Sequence, residues 1–391
     1  MTISRWLDQS DSHNRHFDAV IVGAGIAGLS TAYWLERQQP GIKIALIEKN
    51  RVGFGASGRN AGFVTCGSTE HFIKLQEDFG LDEAVQIWKF SEENHRLLAE
   101  HVIQDEGASL DYRKTGSCTV APSEERWQVY RETAKVMRAQ GLDVTEVTPK
   151  QMQDDYGVTG FQGGIQYSGD GFIHPIKLLG RLQSQLKAQI FEGTEVYKIA
   201  NDGGSVRLVT DRGVFFAGQA FLTLNAYLPL VMRSFESWVT PGRGQILMTE
   251  PLPDFVKGPC YLTKHLCYFR QLPTGHLLIG GFRNLDREVE NTYADQTTDV
   301  IQNALFDFVK SHFKHGPQAK IAYQWSGLMG FSTDGQMILG PAKGFENVHV
   351  MAGCSGHGMG LSFHAAKTLV EGTANPEKIP PRLRLSRLEK N

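Results

Sequence analysis

DAVIVGAGIAGLSTAYWLE, Asp18 to Glu36, with IALIEKN at Ile44 to Asn50 and ASGRNAGF at Ala56 to Phe63, decides how this chain folds. Ala19 to Val22 is a short apolar run, as expected of a strand buried on both faces in a parallel sheet. Gly23, Gly25 and Gly28 follow in GxGxxG spacing. The first permits a tight turn, the second lets backbone approach a pyrophosphate, and the third lets the next helix pack on the strand. The spacing predicts that helix over Ile26 to Gln38, its first residues Ile26 and Ala27 presenting N–H groups and a positive dipole end. A second apolar run, Ile42 to Ile47, ends at Glu48, about twenty residues past the last glycine, where an acid accepts ribose hydroxyls. Strand, glycines, helix, strand and acid arrive in the order a dinucleotide site needs. A carboxylate at Glu48 argues against a ribose 2′-phosphate, and hence against NADP. The motif alone leaves NAD and FAD open.

At 391 residues the chain has length for two domains. Charged residues at 21%, apolar ones at 41% and a formal charge of −2 describe an ordinary globular protein and give no reason to expect nucleic acid as a partner. The N-terminus lacks the apolar core of a signal peptide, and no run reaches the eighteen or so residues of a membrane span. A cytoplasmic location is expected. The cysteines, Cys66, Cys118, Cys260, Cys267 and Cys354, form no CxxC pair. Reduced thiols are expected, with neither a disulfide framework nor a metal site.

The residues after Glu48 decide between NAD and FAD. The segment EKNRVGFGASGRNAGF, Glu48 to Phe63, resembles the one after the ribose acid in FAD-dependent amine and amino-acid oxidoreductases of the D-amino-acid oxidase and glycine oxidase type. Its Ala-Ser-Gly-Arg-Asn pattern is most similar to the gamma-glutamylputrescine oxidase branch. The resemblance implies FAD, with Lys49, Ser57, Gly58, Arg59, Asn60 and Ala61 in the loop that runs under the pyrophosphate toward the flavin ring; noncovalent binding is expected because Gly327 stands where the sarcosine oxidases of the family have their attachment cysteine. It also implies backbone near Val196 at the adenine and Asn225 beside the cofactor. The fold implied is α/β: a Rossmann-like FAD-binding domain, discontinuous in sequence, and an α+β substrate domain on a mainly antiparallel sheet. The expected division is 14–80, 150–238 and 325–391 for FAD, 81–149 and 239–324 for substrate, and a lead-in over 1–13 in which Trp6 and Leu7 dock on the body.

Along the chain, helical spacing predicts two helices across Ile73 to Gln104 broken near Gly80, a charged helix over Glu124 to Gln140, and one from about Ile176. Strands are expected at Gln189 to Phe191, Glu195 to Ala200, Ser205 to Thr210 and Val214 to Ala217, with a separate buried run at Ala220 to Leu224. Thr297 to Phe313 reads as a helix. The basic tail from Ile379 reads as solvated surface.

A second anchor is Gly353 to Gly360, where Gly356, His357, Gly358, Met359 and Gly360 open a helix. Its glycines and N–H donors suit a flat ring that gains negative charge. His357 matches the histidine of the family's Ser-Gly-His-Gly pattern. In Gln324 to Gly340, Met329 stands where the resemblance would place an arginine that grips an alpha-carboxylate through a bidentate pair. The positions of the covalent-attachment cysteine and oxygen-activating lysine of sarcosine oxidases are Gly327 and Leu278. Tyr268 and Arg270 share one strand face and are expected, with His265 and Trp325, to line a substrate pocket.

The reading is oxidation of a C–N bond in a primary or secondary amine, such as a gamma-glutamyl polyamine or an N-substituted amino acid. Hydride passes to flavin and the imine hydrolyses; the resemblance implies that no strong protein base is needed. Oxygen or another acceptor takes the electrons. Two alternatives stand: an amino-acid dehydrogenase of the same fold using a quinone or carrier, and a non-catalytic flavin-binding protein.

Overall fold

The structure, a computed structural model, describes residues 4–8 and 14–389. Most of the expected lead-in lies outside these residues; within it Trp6 is 80% exposed and does not dock. The chain divides into two compact units, the first of Met1–Gly58, Ile176–Gly242 and Leu328–Asn391, the second of Arg59–Pro175 and Arg243–Gly327. Residues 59–80 and 150–175, grouped by sequence with the nucleotide-binding segments, belong to the second unit.

In the first unit, β1 (Asn14–Val22) lies between β2 (Ile44–Ile47) and β11 (Gly213–Leu222), all parallel, and β8 (Gln189–Phe191) extends the sheet beyond β2. β18 (Val348–Ala352) joins β11 in parallel, and β17 (Ile338–Pro341) pairs antiparallel with β18. The antiparallel strands β9 (Val196–Asp202) and β10 (Ser205–Thr210) attach to the first half of β11. The two runs expected at 214–217 and 220–224 are thus one strand, because β1 pairs along both halves. Residues Ala19 to Val22 and the whole of β2 are buried, as continuous apolar runs in a parallel sheet require. Helix α1 (Ile26–Gln38) packs on α8 (Gly358–Ala374), and Trp34 Nε1 donates to Phe363 O at 2.9 Å.

The C-terminal tail is a correction. Ile379, Leu383, Leu385 and Leu388 are buried, and Arg387 binds Asp334 through Nε at 2.7 Å and Nη2 at 2.9 Å. Each buried apolar side chain stabilises the unit by about 1.5–3 kcal/mol, which outweighs the solvation of the interspersed cations.

The second unit is organised on a sheet in the order β16 (Ile321–Ser332), β12 (Val239–Pro251), β15 (His276–Gly280), β14 (Cys267–Gln271), β13 (Cys260–Leu262), β4 (Ser117–Val120), β6 (Gly164–Tyr167), β5 (Val144–Val147). From β12 to β5 the pairing is antiparallel except between β13 and β4, which are parallel. Strand alternation sorts its two faces. Leu247, Phe269 and Ile279 pack with Leu305 and Phe308 of α7 (Asp299–His312), while Ile246, Tyr268 and Leu278 pack with Ala61 and Phe63. Helices α2 (Thr69–Phe79) and α3 (Leu81–Leu98) break at Gly80, whose φ of +85° suits glycine. Helices α4 (Glu124–Ala139) and α5 (Pro149–Tyr156) complete the unit, and a two-stranded ladder joins β3 (Phe63–Val64) to β7 (Gly171–Phe172). Helix α6 (Pro175–Ser184) leads back to the first. Among the described residues no helix is long and apolar enough to cross a membrane.

Candidate functional site

In the first unit the glycine turn is closed by its own backbone. Gly23 has a φ of +103°, and a Cβ added to Gly28 would stand 1.8 Å from Gly23 O, so α1 starts in direct contact with the end of β1. Glu48 follows β2 and its carboxylate faces this turn: Oε2 accepts from Ala24 N at 3.0 Å and Oε1 from Asn50 N at 2.9 Å. A carboxylate has about four lone-pair sites, so both oxygens retain acceptor capacity for a diol. Ser57 Oγ accepts from Ile26 N at 2.9 Å, and a Cβ on Gly25 would come within 2.7 Å of that oxygen. Ser57 therefore orients the start of α1, alongside Ala27 and Gly28. Gly58 packs in the same loop, where a Cβ would meet Gly53 O at 2.3 Å. Lys49 turns away to Glu195 at 2.7 Å on the surface. Val196, buried next to that glutamate, opens β9.

The second anchor also lies in the first unit. Asn225, at φ +47°, accepts on Oδ1 from Cys354 N at 3.1 Å, and Ser355 N donates to Gly330 O at 2.8 Å. These bonds fix the turn through Gly356, which is exposed, to His357 and Gly358 at the start of α8, with Met359 and Gly360 inside it. His357 Nδ1 lies 3.1 Å from Ser355 O, and packing holds its pKa below the usual imidazole value despite that carbonyl. Met329 Sδ lies 3.9 Å from where a Cβ on Gly356 would stand, which puts the residue in place of the expected arginine beside this turn.

The remaining predicted residues lie in the second unit. Arg59 is engaged by protein: Nη1 contacts both Asp295 oxygens at 2.6 Å and Ser326 O at 3.1 Å. Its guanidinium is therefore neutralised rather than held for a phosphate. Desolvation opposes ionisation of Asp295, but hydrogen bonds from Ser326 and Arg59 hold its carboxyl below the ordinary range. Asn60 Oδ1 accepts from Gly62 N at 2.7 Å, closing a local turn. Trp325 Nε1 donates to Arg59 O at 2.9 Å.

Around this segment Tyr261, Tyr268 and Trp325 pack with Ala61 and Phe63. Tyr268 makes an edge contact with Phe63 at 5.7 Å, and burial raises its phenol pKa. Arg270 is 3% exposed. Its guanidinium donates to Ala61 O and to Ile173 O at 3.3 Å and lies 4.6 Å over the Phe172 ring. Nη1 has no hydrogen-bond partner and no carboxylate is within ion-pair distance among the described residues. Burial pulls its pKa down to about 9, so it remains a cation at neutral pH. His265 does not join this group: it stacks on Phe282 at 5.1 Å, and Phe282 belongs to the cluster packed on α7. Two participants escaped the sequence reading. Tyr261, whose hydroxyl is 2.6 Å from Thr65 Oγ1, is signalled only by strand alternation, and Asp295 lies in a loop without pattern.

The glycine turn and the acid after β2 fit a flavin dinucleotide: side chains are excluded at Gly25 and Gly28, where a pyrophosphate would approach, and Glu48 keeps acceptor capacity for a ribose.

Comparison with known proteins agrees. A probable oxidoreductase OrdL of Haemophilus influenzae is 26% identical over 375 residues, covering 91% of this chain and 82% of that protein. The gamma-glutamylputrescine oxidoreductase of Escherichia coli is 23% identical over 380 residues, covering 90% and 83%. The crystal structure of glycine oxidase from Geobacillus kaustophilus superposes with a TM-score of 0.78 at 21% identity, covering 94% of this chain and 96% of that one, a likeness of fold. The sequence model of the DAO family, FAD dependent oxidoreductase, matches residues 18–372, from the first strand of the glycine turn to the end of α8, and the chain therefore belongs to that family of flavoenzymes.

Proposed function

We propose that this flavoenzyme oxidises the C–N bond of a primary or secondary amine that carries a carboxylate remote from the reacting carbon, with FAD held noncovalently. The observation that carries the reading is Arg270, a buried cation whose Nη1 has no hydrogen-bond partner, with no carboxylate in ion-pair distance among the described residues and Asp111 acting on it only from farther away. A buried charge left unpaired costs several kcal/mol, so such a site favours an anionic ligand. Gamma-glutamylputrescine oxidoreductase, whose name joins an amine to a glutamyl group, is among the relatives. Met329 in place of an arginine argues against recognition of an alpha-carboxylate at that position.

Gly23, Gly25, Ile26, Ala27 and Gly28 would hold the pyrophosphate and Glu48 the ribose; Ser57, Gly58, Val196, Asn225 and Gly356 to Gly360 would hold the rest of FAD. Bound FAD supplies the acceptor for the hydride that leaves the carbon next to nitrogen. Tyr261, Tyr268 and Trp325 offer a half-exposed aromatic surface that orients an alkyl amine and excludes water. Arg270 fixes the far end of the substrate through charge-assisted hydrogen bonds. His357, neutral at pH 7, donates or accepts without adding charge. The imine leaves the site and hydrolyses. Gly327 supports noncovalent FAD, since a Cβ there would stand 3.2 Å from Arg59 Cβ. Leu278, packed with Ala61 and Phe63, leaves no lysine at that position to activate oxygen, so turnover with oxygen and with an artificial acceptor should be compared directly. Five buried thiols without a disulfide fit a reducing compartment, and we place the protein in the cytoplasm.

Anaerobic titration of the purified protein, read by bleaching of the visible flavin band, tests the proposal. Gamma-glutamyl amines and other carboxylated amines are expected to bleach it, whereas bleaching only by free alpha-amino acids would overturn it. Arg270→Met should raise KM for the carboxylated amine by about 30- to 1,000-fold, the equivalent of about 2–4 kcal/mol for a buried charge pair, with little loss of stability. Unchanged KM together with impaired folding would make Arg270 structural. His357→Ala should slow flavin reduction on the order of 10- to 100-fold. Because His357 titrates below the usual imidazole value, acidification affects it only below about pH 6.5.

A further inference from the structure

Three donors outside the flavin and substrate groups converge inside the second unit. Cys66 follows β3, Asp170 immediately precedes β7, and the antiparallel pairing of those two strands places both residues at one end of the ladder. His95 reaches them from α3. Cys66 Sγ is 3.9 Å from His95 Nδ1, and His95 Nδ1 is 3.8 Å from Asp170 Oδ1; all three donor atoms lie within 4.8 Å of one another.

These spacings are too long for the nitrogen–oxygen hydrogen bond that a packed imidazole and carboxylate ordinarily make. They are close to what a shared ion requires. With metal–sulfur near 2.3 Å and metal–nitrogen or metal–oxygen near 2.0–2.2 Å, tetrahedral donors stand about 3.3–3.6 Å apart, so His95 is a few tenths of an ångström from the spacing an ion needs to each of the other two donors, and movements of about an ångström at most would close the site.

The surroundings also prepare the donors. Asp170 is fully buried, yet no lysine or arginine is within ion-pair distance of it among the described residues. Its carboxylate is aimed by Cys66 N, which donates to Oδ1 at 2.9 Å, and by Ser117 Oγ, which donates to Oδ2 at 2.6 Å. Such outer bonds orient ligands and sharpen affinity. His95 Nδ1 faces the other two donors, and the tautomer with its proton on Nε2 leaves the Nδ1 lone pair for an ion. His95 also lines a cavity of about 570 Å³ with Glu92, Tyr112, Lys114, Tyr167 and Gly169, which provides a route for an ion and room for a fourth, exchangeable ligand.

We infer that Cys66, His95 and Asp170 form a divalent-metal site, with zinc the ion its donors suit best. One thiolate, one imidazole and one carboxylate are a borderline-soft set, and a dication neutralises the two anionic ligands, giving the buried Asp170 the counter-charge it otherwise lacks.

The test uses the flavin-loaded protein, stripped with a chelator and titrated with cobalt(II), whose d–d absorption lies at longer wavelength than the flavin bands. One cobalt per chain is expected, displaced by zinc. Cys66→Ser should weaken uptake at least 100-fold and remove the thiolate contribution to the spectrum, and His95→Gln should weaken it comparably. Ser117→Ala should weaken uptake about 10- to 100-fold, and Cys354→Ser should leave it unchanged. Flavin content and circular dichroism report whether each variant is folded. Absence of stoichiometric uptake by the wild-type protein overturns the inference without reference to any variant, as does uptake that folded Cys66→Ser retains in full.

Discussion

Exchanging Glu290 for alanine is expected to destabilise the second unit by about 3–5 kcal/mol, the cost of leaving one member of a buried ion pair alone. Arg243 and Glu290 are 1% and 0% exposed and meet through two hydrogen bonds, Nε to Oε2 at 2.8 Å and Nη2 to Oε1 at 2.9 Å. Gln245 Nε2 adds a third at 2.9 Å, and Thr298 Oγ1 a fourth at 3.2 Å. The alanine variant removes the carboxylate and leaves a desolvated guanidinium with only carbonyls. Urea unfolding should show the loss, and the double variant Arg243→Met/Glu290→Leu should recover much of it, because the desolvation of both charges is then relieved. The pair also sets a pH dependence. Desolvation would raise the Glu290 pKa, but the bonds from Arg243 and Gln245 prevail and hold it below the ordinary value. A depressed carboxylate contributes stability that is complete above its unfolded pKa, near 4.3, and is lost as pH falls through the lower folded value. Wild-type stability should therefore decline below about pH 4.3, and Glu290→Ala should show less of that decline. A variant as stable as wild type at pH 7 would mean that Arg243 is solvated by other means.

Arg243 is a single cation within β12, and nothing local to it names its partner, since Glu290 lies 47 residues away on a one-turn helix without pattern. The same contrast runs through the molecule. Helix α1, β8 and β10 match expectation residue for residue, because glycines and turn residues punctuate the apolar runs and the alternating strand on either side. The tail misled because its cations dominate the composition, while Leu383, Leu385 and Leu388 are spaced too irregularly to declare a buried face. At the candidate site, local signals sufficed to place the glycine turn and Glu48 next to one another, because both positions are set along one βαβ unit. Arg59, Lys49 and His265 show where they fail. Each is a polar residue in a promising stretch, and its partner, Asp295, Glu195 or Phe282, is set by tertiary packing. Arg270 had strand alternation to place its face, but the burial and the unpartnered Nη1 that make it informative are properties of three-dimensional surroundings.

Gly28→Ala is expected to yield protein that retains little flavin, with affinity lowered about 100-fold or more. The methyl carbon would stand 1.8 Å from Gly23 O and 2.9 Å from Thr223 Oγ1. Neither neighbour can yield cheaply. Gly23 O belongs to the turn itself, and Thr223 Oγ1 donates to Val22 O at 2.9 Å and Gly23 O at 3.0 Å, tying β1 to the segment after β11. Overpacking of this kind costs about 1–3 kcal/mol even where side chains can adjust; here backbone must move. The direction of movement matters more than its cost: α1 must retreat from β1, carrying with it the N–H groups and dipole end that a pyrophosphate needs. Gly55→Ala is the control, since an added Cβ there meets nothing within 4 Å and the position lies in the loop between Glu48 and Ser57. The ratio of visible flavin absorbance to protein absorbance after purification separates the cases. A Gly28→Ala protein carrying one flavin per chain would show that close approach of helix to strand is not what holds the phosphates, and would shift that task to the loop through Ser57 and Asn60.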